Sequence, residues 1–314
     1  MKKFWIIVLI VVLVSMVGFL TNILILAISS NNDMMEWGSL EKMSDNIKKE
    51  EKYDLKDVNN LKLDFKSSDI NVVVTDDEEL RVVQYSNREL KNEQLFKSDK
   101  SNGRLTIKEA KMGYGFVFNI FNMYRVTYDI YIPKTYANNL EIASVSGDIE
   151  FNEELNLNNL DISLTSGDIK INNKLVANEI KIETISGDIE LEKTESNKIQ
   201  LNSTSGKIEV NSIKNEAYMK TISGDISIQE LEGKVNAKTT SGEIYIHKLK
   251  MNGDSELNST SGNIEVSLTD DSNCTITTKT TSGNVKLPND KNTVGTENNN
   301  KLKLETTSGN IKIH

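Results

Sequence analysis

From residue 59 onward the chain alternates apolar and polar residues with period two. The stretches LKLDF, INVVV, LRVVQY, RLTI and VTYDIYI, all before residue 140, are bounded by Asn, Asp, Gly or Pro and read as half-buried strands. From residue 140 the alternation becomes a repeat built on Ser-Gly, with glycines at Gly147, Gly167, Gly187, Gly206, Gly224, Gly242, Gly262, Gly283 and Gly309. Successive spacings are 20, 20, 19, 18, 18, 20, 21 and 26 residues. A period near 20 predicts a solenoid, because one such unit cannot bury its apolar face without a neighbour. The units are dense in Ile, Val and Thr and hold no helical-period stretch, which favours strands over helices.

With the Ser of each Ser-Gly taken as position zero, position −6 begins Leu140, Leu160, Ile180, Ile199 and position −4 begins Ile142, Ile162, Ile182, Leu201. Position −2 turns small and mostly polar, as in Ser144, Thr184, Ser203 and Thr221. After the Ser, apolar residues return at +3 and +5, as in Ile149 and Phe151, so the period slips by one. A strand keeps its side chains inward through such a slip only if the chain bends, and a bend with strained dihedrals calls for glycine. Ser-Gly-Asp therefore reads as the corner of a coil whose two strands lie in different sheets and pair with their copies above and below. A series of hairpins would need an equally regular second turn signal, and the sequence has none. The expected fold is all-β: a parallel β-solenoid of about nine coils over residues 140–314, one per Ser-Gly, behind a β-rich entry or capping region over 59–139. The last coil ends in SGNIKIH without an evident cap, so its final strand is expected to be an exposed edge through which the protein could self-associate.

Upstream of the strands, Lys2 and Lys3 precede an apolar run of 25 residues, Phe4 to Ile28. A bilayer core takes roughly 20 helical residues, whereas the apolar part of a signal peptide has about 7–15. The run predicts one transmembrane α-helix within residues 1–30, with cleavage at AIS, residues 27–29, as the alternative. Lysines before the span and Asp33 and Glu36 after it place the N-terminus in the cytoplasm and the rest outside, at the cell membrane. Residues 31–58 are polar, with Leu40, Met43 and Ile47 at helical spacing, and read as a stalk or linker.

Composition narrows the function. The 314 residues are 37% hydrophobic and 26% charged, a globular balance, with a net charge of −9 and no basic run, which argues against nucleic acid as a partner. Cys274 is the single cysteine, so no intramolecular disulfide or Cys-based metal or redox site can form. The two histidines, His247 and His314, belong to no Ser-His-Asp, metal-ligand or phosphate-loop pattern, and no cofactor is expected. A polysaccharide-active β-helix enzyme, with carboxylates converging from different coils, is the alternative to a non-enzymatic binding protein. The acidic residues after the first glycines, Asp148, Asp168 and Asp188, suggest calcium. The row continues with Lys207, Asp225, Glu243, Asn263, Asn284 and Asn310, which suits a solvated turn better. The segment GYGFVFNIFNMY, residues 113–124, carries Tyr114, Phe116, Phe118, Phe121 and Tyr124. It reads as a partner-binding loop or as a plug for the open end of the solenoid.

The membrane-spanning N-terminus, the strand VTYDIYIP, and the series from NLEIASVSGDIEF to KLKLETTSGNIKI resemble the bacterial beta-strand-repeat putative adhesin family, over about residues 59–314. The single-anchor layout is similar to its LiaG-like members, associated with cell-envelope stress operons. The resemblance implies a parallel β-solenoid at the envelope that binds another envelope protein or wall polymer, and it implies no catalytic residues.

Overall fold

The computed structural model describes residues 46–110, 125–296 and 299–314, and apart from three short 3-10 turns every regular element in them is a β-strand. No helix among them is long and apolar enough to cross a membrane; the expected span at Phe4–Ile28 lies outside the described residues, as does residue 45 and all before it. The chain enters as β1 (Asn46–Tyr53), β2 (Asn60–Asp64), β3 (Asp69–Thr75), β4 (Leu80–Ser86), β5 (Lys97–Ser101), β6 (Arg104–Lys108) and β7 (Val126–Pro133). It reaches the first Ser-Gly corner with β8 (Asn139–Ser146) and β9 (Ile149–Phe151).

Two expectations change here. The stalk does not extend to residue 58: β1 pairs antiparallel with β4, and Leu55 and Val58 are buried in the core. Of the helically spaced Leu40, Met43 and Ile47, the first two lie outside the described residues, and Ile47 is an exposed residue of β1. The entry region is also more than a cap, since its strands form two further turns, or levels, of the solenoid. β2 and β3 pair in parallel with β8 and β9 on one side and with β6 and β7 on the other. Ser67 bridges Ser146, so Lys66-Ser67-Ser68-Asp69-Ile70 is a corner in which Ser68 stands where later levels have glycine. Outside these levels, β4 adds antiparallel to β7 and β1 antiparallel to β4, while β5 adds antiparallel to β6.

The repeats then stack as β10 (Leu155–Ser166), β11 (Ile169–Ser186), β12 (Ile189–Ser205), β13 (Ile208–Lys220), β14 (Ile226–Ser241), β15 (Ile244–Met251), β16 (Ser255–Ser261) and β17 (Ile264–Leu268). Every ladder among them is parallel and in register, so Ile162, Ile182, Leu201, Met219, Ala237 and Leu257 form one buried file. Ile149, Ile169, Ile189, Ile208, Ile226, Ile244 and Ile264 form another beyond the corner. Hairpins are thereby replaced by coils throughout the repeat.

Glycine at the corner is required mainly by the neighbouring level. Gly147, Gly167 and Gly187 have φ of +101°, +124° and +152°, in the region that favours glycine, but the later corner glycines do not. What all nine share is that a Cβ would lie less than 3 Å from the backbone carbonyl of the adjacent corner, Ser68 for Gly147 and a glycine for each of the others. The −2 file serves the same contact: Thr221, Thr239, Ser259 and Thr306 hydroxyls donate to the carbonyls of Gly206, Gly224, Gly242 and Gly262 at 3.0–3.2 Å.

The C-terminal end corrects the expectation of an exposed last strand. After β18 (Cys274–Ser282), β19 (Val285–Lys286) and β20 (Thr293–Val294), the chain returns as β21 (Asn300–Ser308) and β22 (Ile311–Ile313). β21 and β22 insert between the level of β16 and β17 and the level of β18 and β19, pairing in parallel with both. SGNIKIH is thus an inner level, and β18 and β19 form the outer one. Cys274 is buried within it.

Replacing Gly224 by Ala is expected to lower stability by about 3 kcal/mol, the upper end of the usual overpacking cost. Replacing Gly253 by Ala, whose Cβ would meet only Lys234 side-chain carbons at 3.5 Å, should stay within about 0.5 kcal/mol of the parent. Denaturant unfolding of the two variants tests the corner argument, and equal losses would refute it.

Candidate functional site

The five aromatic candidates, Tyr114, Phe116, Phe118, Phe121 and Tyr124, lie outside the described residues. Their attachment points do not. The segment leaves after Ala110 and returns at Arg125, between β6 and β7, where the other levels have a corner. Both ends are tied to the corner of the β2–β3 level. Glu109, 3% exposed, accepts hydrogen bonds from Ser68 Oγ at 2.8 Å, from the Ser67 N–H at 3.1 Å and from the Lys66 N–H. Arg125 donates from Nη2 and Nε to Asp69 Oδ2 at 2.9 and 3.2 Å. The core beneath is filled by rings from elsewhere: Phe65 and Phe96 lie 4.4 and 6.2 Å from Tyr128, centroid to centroid, and all three are buried.

The acidic row has a structural task. Asp148, Asp168 and Asp188 each accept, through Oδ1, the backbone N–H of the same position one level on, at 2.9, 2.9 and 2.7 Å, and Asp69 does the same for Asp148 at 3.1 Å. Each carboxylate closes a corner N–H that the turned chain cannot pair in a ladder. Among the described residues no group of three His, Cys, Asp or Glu side chains is placed to hold a metal ion.

The two histidines occupy the same position of the repeat, +6 from a corner Ser, which the sequence reading missed. The spacing was legible once the register of the repeat was fixed. His247 Nδ1 lies 3.3 Å from Tyr245 Oη, and His314 Nε2 lies 2.8 Å from Glu265 Oε1.

The outer faces are largely self-neutralised. Lysines pair with carboxylates on the adjacent level, as in Lys198 with Glu179, Lys234 with Glu216, Lys250 with Glu232, Lys303 with Glu256 and Lys312 with Glu265. Hydrogen bonds from Lys234, Lys303 and Lys312 hold Glu216, Glu256 and Glu265 below the usual carboxylate range. Two features interrupt this surface. At −1, Val145, Ile185 and Ile222 are 55%, 54% and 46% exposed and alternate with threonines along the corner. Further along, a groove of about 380 Å³ is lined by Tyr218, Asn236, Glu256, Thr277 and Lys303 among others.

The Toastrack DUF4097 family model matches residues 58–314, the whole of the solenoid and its two entry levels. The chain belongs to this family. Solved structures similar to this chain include a putative adhesin from Bacteroides fragilis, 14% identical with 84% of this chain and 96% of that one covered, at a TM-score of 0.46. A putative adhesin from Parabacteroides distasonis is 15% identical, with 86% and 98% covered and a TM-score of 0.42. A putative lipid binding protein from the same species is 14% identical, with 85% and 96% covered and a TM-score of 0.44. No curated protein matches the chain.

The paired carboxylates of this Toastrack surface set a pH dependence. A folded pKa below the ordinary glutamate value of about 4.3 contributes stability that is present above that pH and lost as pH falls through the lower folded values. The thermal midpoint is expected to be level above about pH 5 and to fall below about pH 4, with a smaller fall for Glu256→Gln/Glu265→Gln and in about 1 M salt. Unfolding scans across this range check it; a midpoint that rises on acidification would contradict the assignment.

Proposed function

We propose that this Toastrack chain is a membrane-anchored, extracytoplasmic binding or scaffold module of the bacterial cell envelope. The apolar run from Phe4 to Ile28 serves as its anchor, and the aromatic segment between Ala110 and Arg125 takes a partner close to the bilayer. The observation that carries the reading is the attachment of that segment to a rigid corner through Glu109 and Arg125, above a core already filled by Phe65, Phe96 and Tyr128. Aromatic side chains on a segment whose two ends are fixed serve well as binding anchors, because fixing the ends reduces the ordering cost of binding. An envelope membrane protein is the partner class this geometry favours, in keeping with the LiaG-like layout of one anchor and one solenoid. Adhesion to wall polymer along the flanks is the other form of the same role.

Cross-linking on intact cells, followed by affinity capture of the tagged full chain and mass spectrometry, tests this. A reproducible membrane-protein partner is expected, with capture reduced by more than about tenfold in Phe116→Ser/Phe118→Ser/Phe121→Ser at an unchanged thermal midpoint. Capture of wall polymer alone would move the site to the solenoid flanks. A lowered midpoint would assign the rings to the core, and turnover of a cell-wall glycan by the purified protein would replace the binding role with an enzymatic one.

A further inference from the structure

The outer C-terminal level ends the corner column with its bonding pattern incomplete. At inner levels up to four groups of a corner meet the next one, and all four do so at the corners of Gly187, Gly262 and Gly309. The glycine N–H donates to the next corner Ser carbonyl, as from Gly262 to Ser308 and from Gly309 to Ser282, both at 3.0 Å. The +3 N–H donates to the next +2 carbonyl, as from Ile264 to Asn310 and from Ile311 to Asn284, both at 2.9 Å. The glycine carbonyl accepts the next −2 hydroxyl, as Gly309 accepts Thr280 at 3.0 Å, and the +2 side chain accepts the next +2 N–H, as Asn310 accepts Asn284 at 2.9 Å. On the outer level the same four groups are Gly283 N–H, Val285 N–H, Gly283 carbonyl and Asn284 Oδ1, and among the described residues none has a partner. The strand beside them is open as well. β20 covers only Cys274 and Thr275, and Ile276 N–H reaches Asn292, which leaves Thr278 and Thr280 with backbone groups facing outward on the same side. Val285 is 42% exposed.

Charge selects the occupant. Between Cys274 and Val294 the outer level carries Lys279, Lys286 and Lys291 against Asp290 alone, and neither Lys279 nor Lys286 has an ion pair among the described residues. A second copy facing this end would set lysine against lysine and run antiparallel, which cannot satisfy the parallel corner groups. A second copy stacked in the same direction would present its N-terminal end, where β1 and β5 close the ladders as antiparallel strands with the charged sequences NIKKEEKY and KSDKS.

We propose that this level is a docking site for an extended segment of another polypeptide, added in parallel, with the pattern hydroxyl-x-Ser-Gly-acid-apolar and carboxylates opposite Lys279 and Lys286. The segment supplies the next level: its −2 hydroxyl to the Gly283 carbonyl, its Ser carbonyl to the Gly283 N–H, and its acidic residue's N–H and carbonyl to Asn284 Oδ1 and the Val285 N–H. This surface is separate from the aromatic segment and stands whether or not that segment binds a partner.

The protein's own repeat provides a probe. The peptide IKIETISGDIEL, the sequence of residues 180–191, carries the −2 hydroxyl of Thr184, and its Glu183 and Glu190 fall at −3 and +4, the positions of Lys279 and Lys286. Titrated as a labelled peptide against the full chain, it is expected to bind saturably and to protect the amides of residues 277–286 from hydrogen exchange. Lys279→Glu/Lys286→Glu should weaken it by at least about tenfold and bind instead the charge-reversed peptide IKIKTISGDIKL. The peptide IKIETISADIEL, with Ala for the corner glycine, should fail on both proteins. No saturable binding up to millimolar peptide, binding indifferent to the charge exchange or to the alanine, or protection of 277–286 by a concentration-dependent dimer without peptide would each overturn the proposal.

Discussion

The fold depends on one close approach, that of each corner glycine to the carbonyl of the corner beside it. Parallel strands stack about 4.8 Å apart, and where the chain turns between sheets this spacing leaves no volume for a side chain pointing along the axis. Glycine is therefore set by the neighbour as much as by the bend, which is why it recurs where φ is no longer in the left-handed region. The remaining features of the corner follow from burying polar backbone there. The −2 hydroxyls and the +2 Asp and Asn side chains close the groups that ladder pairing leaves over. A position that would otherwise take Leu is Ser or Thr because a carbonyl waits beside it.

Much of this was legible in the sequence because a solenoid repeats its constraints. The period of the Ser-Gly corners, the apolar files at −6, −4, +3 and +5, and the slip between them translate directly into the parallel register. The first levels were harder to see, for physical reasons. In the β2–β3 level Ser68 replaces the glycine beside a level, β6–β7, that has an insertion in place of a corner, and its hydroxyl donates to Glu109. Ser-Asp-Ile-Asn-Val at residues 68–72 nonetheless retains the rest of the corner pattern. In the outermost level the corner is interrupted by an insertion, so β6 and β7 lie far apart in sequence. The order of levels at either end left no mark in local pattern, because a parallel ladder accepts any neighbour of the right period.

The same repetition governs the surface. Alternating Lys and Glu on successive levels form pairs along the axis, so the net charge of −9 is spread thinly and gives no single-signed face of great extent. The repeat is broken at two places: the insertion between Ala110 and Arg125, and the level where the column of corners stops. The pairing of His247 with Tyr245 and of His314 with Glu265 follows from the same alternation, which puts both partners of each pair on the outer face of their strand.

The non-sequential stacking has a mechanical consequence. In a simple solenoid the chain terminus lies on the outermost turn, so unravelling from that end breaks one ladder at a time. Here β21 and β22 are held from both sides, and pulling out the last residues breaks two ladders at once and strands the turn outside them. At the other end β2 and β3 are likewise clasped between two neighbours. The levels of β2–β3 and of β21–β22 are thus held in place by strands that come later or earlier in the chain, so neither can separate without breaking two parallel ladders.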